Sequence, residues 1–198
     1  MSSSEYLIRE YPVQQGALEI AYIEEYFNEF PERKAQAEIV QRLQGRESQI
    51  LMAEAGLPGD GATVVPVSYK VSHELRADES DPKLLDLVER LRDVVDFDNQ
   101  RILYNWLGAT RKDWRGQGHF RALSEEQEAW AIAEGFDEII VKTKNRYHDM
   151  RATLDQLGFD IIKFEPSADL GESKIYLSKQ LGPFVLDAHR STRRVARG

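Results

Sequence analysis

The segment Asp113-Trp114-Arg115-Gly116-Gln117-Gly118-His119-Phe120 has the residue types of an anion cradle. A strand-like run from Arg101 to Thr110 precedes it, and a helical pattern reaching about Glu134 follows it. The first backbone N–H groups of a helix have no partner inside the helix. Together with the helix dipole they favour a negative charge. Gly116 and Gly118 carry no side chain that would keep a phosphate from the backbone. Arg115 adds a permanent positive charge with a hydrogen-bonding fork. The ligand such a segment selects is a phosphate or a pyrophosphate. Two glycines one residue apart fit a plain tight turn equally well. The Gly-Lys-Ser/Thr ending of a Walker loop and the third glycine of a dinucleotide fingerprint are both missing.

The surrounding pattern sets where this segment sits. A first strand is expected at Tyr6 to Tyr11, closed by Pro12. A helix near Gln14 to Phe30 follows, carrying Glu24, Glu25 and Glu29, and Pro31 interrupts it. A second helix spans Glu32 to Leu43 with Ala35, Ile39 and Leu43 in one stripe, and Gly45 stops it. Strands at Ser48 to Ala55 and Ala62 to His73 flank a turn cluster at Gly56 to Gly61, with Pro66 marking a bulge or an edge. Asp81-Pro82 opens a helix with Leu84, Leu87, Val88, Leu91 and Val95 on its apolar face, reaching about Phe97.

The helix after the glycine loop puts Phe120, Leu123, Gln127 and Trp130 on one face and Glu125, Glu126 and Glu128 toward solvent, and Gly135 ends it. A strand at Asp137 to Lys144, a helix from Tyr147 to Leu157 and strands near Phe159 to Phe164 and Ser173 to Leu181 complete the order. The class is α/β, a mixed sheet with helices on both faces, in one domain of residues 1–182. Residues 183–198 read as a basic, solvated C-terminal tail.

Bulk properties narrow the function classes. The chain has 198 residues, a formal net charge of −8 and no cysteine. A disulfide framework, a thiolate metal site and a cysteine nucleophile are therefore excluded. His73, His119 and His148 show no metal-ligand spacing, so no metal is expected. No apolar run approaches the roughly 20 residues of a membrane span. The start, Met1-Ser2-Ser3-Ser4-Glu5, lacks the features of a signal peptide, so a cytoplasmic location is expected. The acidic body argues against nucleic-acid binding; its charge either aids solubility alone or also attracts a cationic amine. The oligomeric state stays open, a homodimer included.

A wider stretch turns the choice of anion. Gly108-Ala109-Thr110-Arg111-Lys112-Asp113-Trp114-Arg115-Gly116-Gln117-Gly118 resembles the acetyl-CoA-binding motif of the GCN5-related N-acetyltransferases, the GNAT family. Glu134-Gly135-Phe136-Asp137-Glu138-Ile139 resembles that family's link into its fifth strand. Lys142-Thr143-Lys144-Asn145, followed by Leu157-Gly158-Phe159, resembles its closing strand, helix and strand. The likeness covers about Gln100 to Leu181 by motif and the N-terminal half by element order. It implies a central, mostly antiparallel sheet with splayed fourth and fifth strands, flanked by helices. It also implies acetyl-CoA as cosubstrate and acyl transfer to a primary amine of a small molecule or a protein. Pantetheine would pair with the exposed strand edge formed by Leu107, Gly108, Ala109, Thr110 and Arg111. The amides of Arg115, Gly116, Gln117, Gly118, His119 and Phe120 would receive the pyrophosphate, and Asn145 matches a position beside the thioester arm.

Three departures from the family pattern stand out. Phe120 occupies a place usually held by a small residue, Leu154 stands where many members have a tyrosine general acid, and the Asp81 helix is inserted where relatives often have a hairpin. The implied reaction is direct attack of a neutral amine on a thioester, with a backbone N–H stabilising the developing oxyanion. Positioning two substrates together supplies much of the acceleration, so a strong dedicated base is not required. The candidates for proton handling are Glu54, Tyr104 and Tyr147. His119 could help to hold phosphate, or could be an ordinary exposed loop histidine. The alternative to an N-acyltransferase is a non-catalytic acyl-CoA-binding or regulatory domain on the same scaffold.

Overall fold

A computed structural model describes residues 6–14, 34–57 and 60–195. In chain order the elements are β1 (Tyr6–Tyr11), α1 (Gln36–Leu43), β2 (Ser48–Leu57), β3 (Asp60–Leu75), α2 (Pro82–Leu91) and β4 (Ile102–Thr110). There follow α3 (His119–Ala133), β5 (Glu138–Lys144), α4 (His148–Gln156), β6 (Asp160–Glu165), β7 (Lys174–Gln180) and α5 (Pro183–Val195). The seven strands form one sheet in the order β1-β2-β3-β4-β5-β7-β6. β4 and β5 run parallel, while β1 with β2, β2 with β3, β5 with β7 and β6 with β7 are antiparallel. This is the mixed, mostly antiparallel architecture expected from the sequence. Among the described residues no helix is long and apolar enough to cross a membrane.

The chain divides into two compact units, Met1–His73 with Trp106–Ser124, and Glu74–Asn105 with Glu125–Gly198. In the first, β2 alternates its side chains between two apolar layers, as a strand must. Ile50 and Met52 join Ile39, Val40 and Leu43 of α1 with Tyr69, Val71 and Ala109. Leu51, Ala53 and Ala55 join Val67 and Leu123 on the other side, with Tyr6, Ile8 and Trp114 packed against them. Pro66 cannot donate to a ladder. The β2–β3 register accordingly shifts between Ala53, opposite Ser68, and Glu54, opposite Pro66.

In the second unit α2 buries Leu84, Leu87, Val88 and Leu91. Asp81 caps it by accepting from the Lys83 N–H at 2.8 Å, with Pro82 in the first turn. Asp81→Ala should cost about 1 kcal/mol and lower Tm by roughly 3 °C for a domain of this size. A thermal melt checks this, and an unchanged Tm would show the cap to be inert. Arg101 ties the start of β4 to its surroundings: its backbone N–H donates to Asp137 at 2.8 Å and its guanidinium pairs with Glu74 at 2.9 Å.

Several sequence expectations need correction. The helix expected near Gln14 to Phe30, with Glu24, Glu25 and Glu29, lies outside the described residues. α1 starts at Gln36 rather than Glu32, with Lys34 and Ala35 non-helical. α2 stops at Leu91, not near Phe97. Asp93 and Asp96 would face the negative end of the helix dipole, and the adjacent Val94-Val95 pair is β-branched, so continuation is unfavourable there. The expected solvated tail is helical to Val195, with Val185 buried. Glu125 and Glu128, expected in solvent, are buried, and only Glu126 of the three is exposed.

Candidate functional site

The glycine segment folds as its chemistry requires. A single 3-10 turn, Lys112–Trp114, leads out of β4, and α3 begins at His119. Gly116 and Gly118 take φ values of +76° and +86°, a region that L side chains rarely enter. A Cβ built on either glycine would meet nothing within 4 Å. The glycines are thus needed for backbone shape, and the space beside them is open. The Gly118 carbonyl accepts from the Ala122 N–H at 3.0 Å, closing the first turn. The N–H groups at the start of a 15-residue helix are thereby presented without helical partners. Arg115 is exposed, and its Nε donates to the Thr110 carbonyl at 3.1 Å. That bond anchors its guanidinium beside the loop. From residue 111 to 121 the chain carries Arg111, Lys112, Arg115 and Arg121 against Asp113 alone. A basic stretch inside an acidic chain is a signal that composition by segment would have caught.

The end of β4 is pinned firmly. Ser68 Oγ donates to the Ala109 carbonyl at 3.0 Å and lies 2.8 Å from Thr110 Oγ1, and the Arg111 N–H donates to the Val67 carbonyl at 2.9 Å. β5 pairs with β4 only from Ile102, opposite Glu138, to Asn105, opposite Val141. Residues 106–110 of β4 extend beyond the last of those partners.

Phe120 resolves one departure from the family pattern. A Cβ on Gly108 would come within 3.1 Å of Phe120 Cε2. The large residue on α3 is matched by a missing one on β4, a pairing that neither position reveals alone. Beneath the ring lies Lys70 Nζ, 5.0 Å from its centroid and 3.0 Å from Ser124 Oγ. Sequence reading missed Lys70, a buried cation on β3.

His119 differs from both expectations. It is 2 % exposed, so it is no loop histidine, and its ring cannot touch a phosphate in the open loop. Its ring stands edge-on to Tyr6 at 4.4 Å and tilted to Trp114 at 5.8 Å. Burial lowers its pKa below the usual histidine range. Only its backbone N–H is oriented by the helix start.

The remaining candidates are each engaged elsewhere. Asn145 Nδ2 donates to the Leu170 carbonyl at 3.0 Å, and its Oδ1 accepts from Arg151 Nη1 at 2.6 Å. One Nδ2 hydrogen and one Oδ1 lone pair are left for a cofactor contact. Glu54 accepts from the Tyr11 hydroxyl and pairs with Arg9 Nε at 3.2 Å. Tyr147 stands just before α4, where its hydroxyl accepts from Arg146 Nη2 at 3.1 Å. Tyr104 is buried on β4 opposite Ile140. Leu154, at the place of the family's tyrosine, is 1 % exposed and apolar. Among the described residues no group of three or more His, Asp or Glu side chains could hold a metal ion.

No protein-family model and no curated protein matches the sequence. Solved structures do match in fold. NAA60 of Arabidopsis thaliana, solved with acetyl-CoA, aligns at a TM-score of 0.68 and 12% identity, over 89% of this chain and 98% of that one. The NatC complex, solved with Gag peptide and CoA, aligns at 0.63 and 15% identity, over 90% and 99%. The IAA acetyltransferase of Bacillus cereus aligns at 0.56 and 15% identity, over 89% and 100%. The fold is that of the GNAT acetyltransferases.

Proposed function

We propose that the protein is an acetyl-CoA-dependent N-acetyltransferase of the GNAT type. The observation that carries this reading is the loop itself: two left-handed glycines with open space beside them, set at the start of α3. The residues fit the cofactor. A pyrophosphate needs backbone N–H groups unscreened by side chains, and Gly116 to Phe120 supply them. Arg115 adds charge-assisted hydrogen bonding from a guanidinium already anchored on Thr110. The edge of β4 from Leu107 to Arg111 would take pantetheine, with Phe120 packed against its Gly108.

Bound acetyl-CoA would supply the thioester carbonyl that a neutral amine attacks. The chain's part would be to hold that carbonyl still and to keep the cofactor's charge neutralised. Glu54, Tyr104 and Tyr147 remain the candidates for taking the amine proton. The acceptor would be a primary amine of a small molecule or a protein. The acetyl-CoA complex of NAA60 and the CoA-bound NatC complex support the choice of cofactor.

Titration calorimetry with acetyl-CoA tests the reading. Saturable binding is expected, and Arg115→Ala should weaken it about tenfold, near 1.4 kcal/mol. No binding at millimolar cofactor would end the proposal. A second reading is favoured by Leu154 and by the ion pair on Glu54: an acyl-CoA-binding domain without turnover. A broad amine screen that detects free CoA separates the two, since turnover on any amine rules out the second.

A further inference from the structure

We propose that His119 is a positioning residue whose uncharged ring, wedged between Tyr6 and Trp114, holds the first turn of α3 in the shape that aims the cradle amides, and that protonation of the ring releases this turn. The proposal rests on the assignment of the cradle to acetyl-CoA.

The wedge joins three parts of the first unit. Tyr6 comes from β1, Trp114 from the turn that leaves β4, and His119 is the first residue of α3. Around Tyr6 and Trp114 lie Leu51, Ala53, Ala55, Val67 and Leu123, all apolar and buried. A neutral imidazole has one N–H donor and one bare nitrogen acceptor. Both ring nitrogens of His119 are buried without a hydrogen-bond partner. A leucine or phenylalanine would fill the slot without leaving polar atoms unsatisfied. Histidine at this place therefore brings a liability that changes with pH, and brings it to the residue whose own backbone N–H belongs to the cradle.

The charges nearby in the chain do not favour an imidazolium. On β1, Arg9 is taken by Glu54 of β2, and Glu10 accepts from Gln49. On the turn, Asp113 pairs with Arg111, and Lys112 and Arg115 follow in the same stretch. On α3 the next charged residue is Arg121. The positive end of the helix dipole adds to the same sign. Among the described residues in ring contact with His119, Tyr6 is the titratable one and Trp114 carries no charge.

The sign follows from burial. The folded-state pKa of His119 is lowered, whereas the unfolded chain titrates near about 6.5. Its contribution to stability is whole above that pH and is lost as pH falls through the folded value.

The test compares wild type with His119→Phe and His119→Leu between pH 7.5 and 5.5, reading Tm and the Kd for CoA at each pH. Wild type is expected to lose more Tm on acidification than either variant. Its CoA affinity should fall about twofold or more further than theirs by pH 5.5, the variants cancelling the titration of CoA's own phosphates. Equal pH slopes with CoA binding intact would overturn the proposal, as would binding that tightens in acid more in wild type than in the variants. Absence of CoA binding in all three, with the Tm difference intact, would overturn the cofactor assignment and leave the wedge standing. The ring C–H resonance of His119 in the unmodified protein gives the same answer without substitution. A midpoint below the ordinary histidine range supports the wedge, and an ordinary histidine titration overturns it.

Discussion

Gly118→Val is expected to weaken acetyl-CoA binding at least about a hundredfold, near 2.7 kcal/mol, while the protein stays folded. Gly118 has φ +86°, where a β-branched residue is a genuine outlier. The strain should cost about 1–2 kcal/mol and lower Tm by roughly 2–8 °C. No atom lies within 4 Å of the new Cβ, so no clash adds to it. The larger effect falls on the ligand. Either the backbone keeps its shape and the isopropyl group stands where the phosphate must go, or φ turns negative and the first amides of α3 swing away. Gly45 supplies the control: it has φ +72° and an equally open Cβ position at the end of α1. Gly45→Val should reproduce the Tm loss and leave CoA binding unchanged. A Kd within threefold of wild type for Gly118→Val would remove the loop from the cofactor site.

The loop was legible because glycine is the rare residue whose sequence identity reports a backbone angle. Gly116, Gly118, Gly135 and Gly158 each sit at a positive φ where a strand or helix begins or ends. The strands were legible for a similar reason, since alternation along β2 survives any tertiary context. Side-chain surroundings were not. The slot around His119 is closed by Tyr6, from the far end of the chain, and no spacing rule links the two. Phe120 departs from the family pattern by residue type, and the space it needs comes from Gly108 on another element. Asn145 and Glu54 are candidates by position, whereas the Leu170 carbonyl holds the first and Arg9 and Tyr11 of β1 hold the second, partners that no local spacing links to them.

The acidic run on α3 shows a different limit. Reading by residue type sent Glu125, Glu126 and Glu128 to solvent. α3 is buried over more than one stripe, with Leu123, Gln127 and Ala131 inside together with Ser124, Glu125 and Glu128. A carboxylate can occupy such a place only when a cation comes with it. The cation at Glu128 is Lys179 of β7, the ring of His189 of α5 meets the same oxygen, and nothing near Glu128 in the sequence announces either. The same contact explains why residues 183–195 are a docked helix rather than a tail: His189 reaches Glu128 one turn after Val185 enters the core.

Glu128→Leu should therefore destabilise the second unit strongly, by about 3–5 kcal/mol. Glu128 is 1% exposed at its side chain, and its Oε2 takes Lys179 Nζ at 2.8 Å and His189 Nε2 at 2.7 Å. Removing it strands a lysine that is 14% exposed and leaves it the Leu157 carbonyl at 2.7 Å and the Phe159 ring at 5.8 Å. The expected fall in Tm is roughly 10 °C. Lys179→Met should cost a similar amount, because it leaves the carboxylate with His189 alone. The double variant Glu128→Leu with Lys179→Met should recover at least half of the loss, since packed apolar groups replace a buried pair at little cost. Additive losses in the double variant would show that packing, not charge, holds this contact. Well below each variant's Tm, CoA affinity should stay within threefold of wild type, because the cradle amides belong to the first turn of α3 and Glu128 lies more than two turns along. The two ends of one helix would then answer to separate tests, the N-terminal turn to the ligand and the buried carboxylate to the fold.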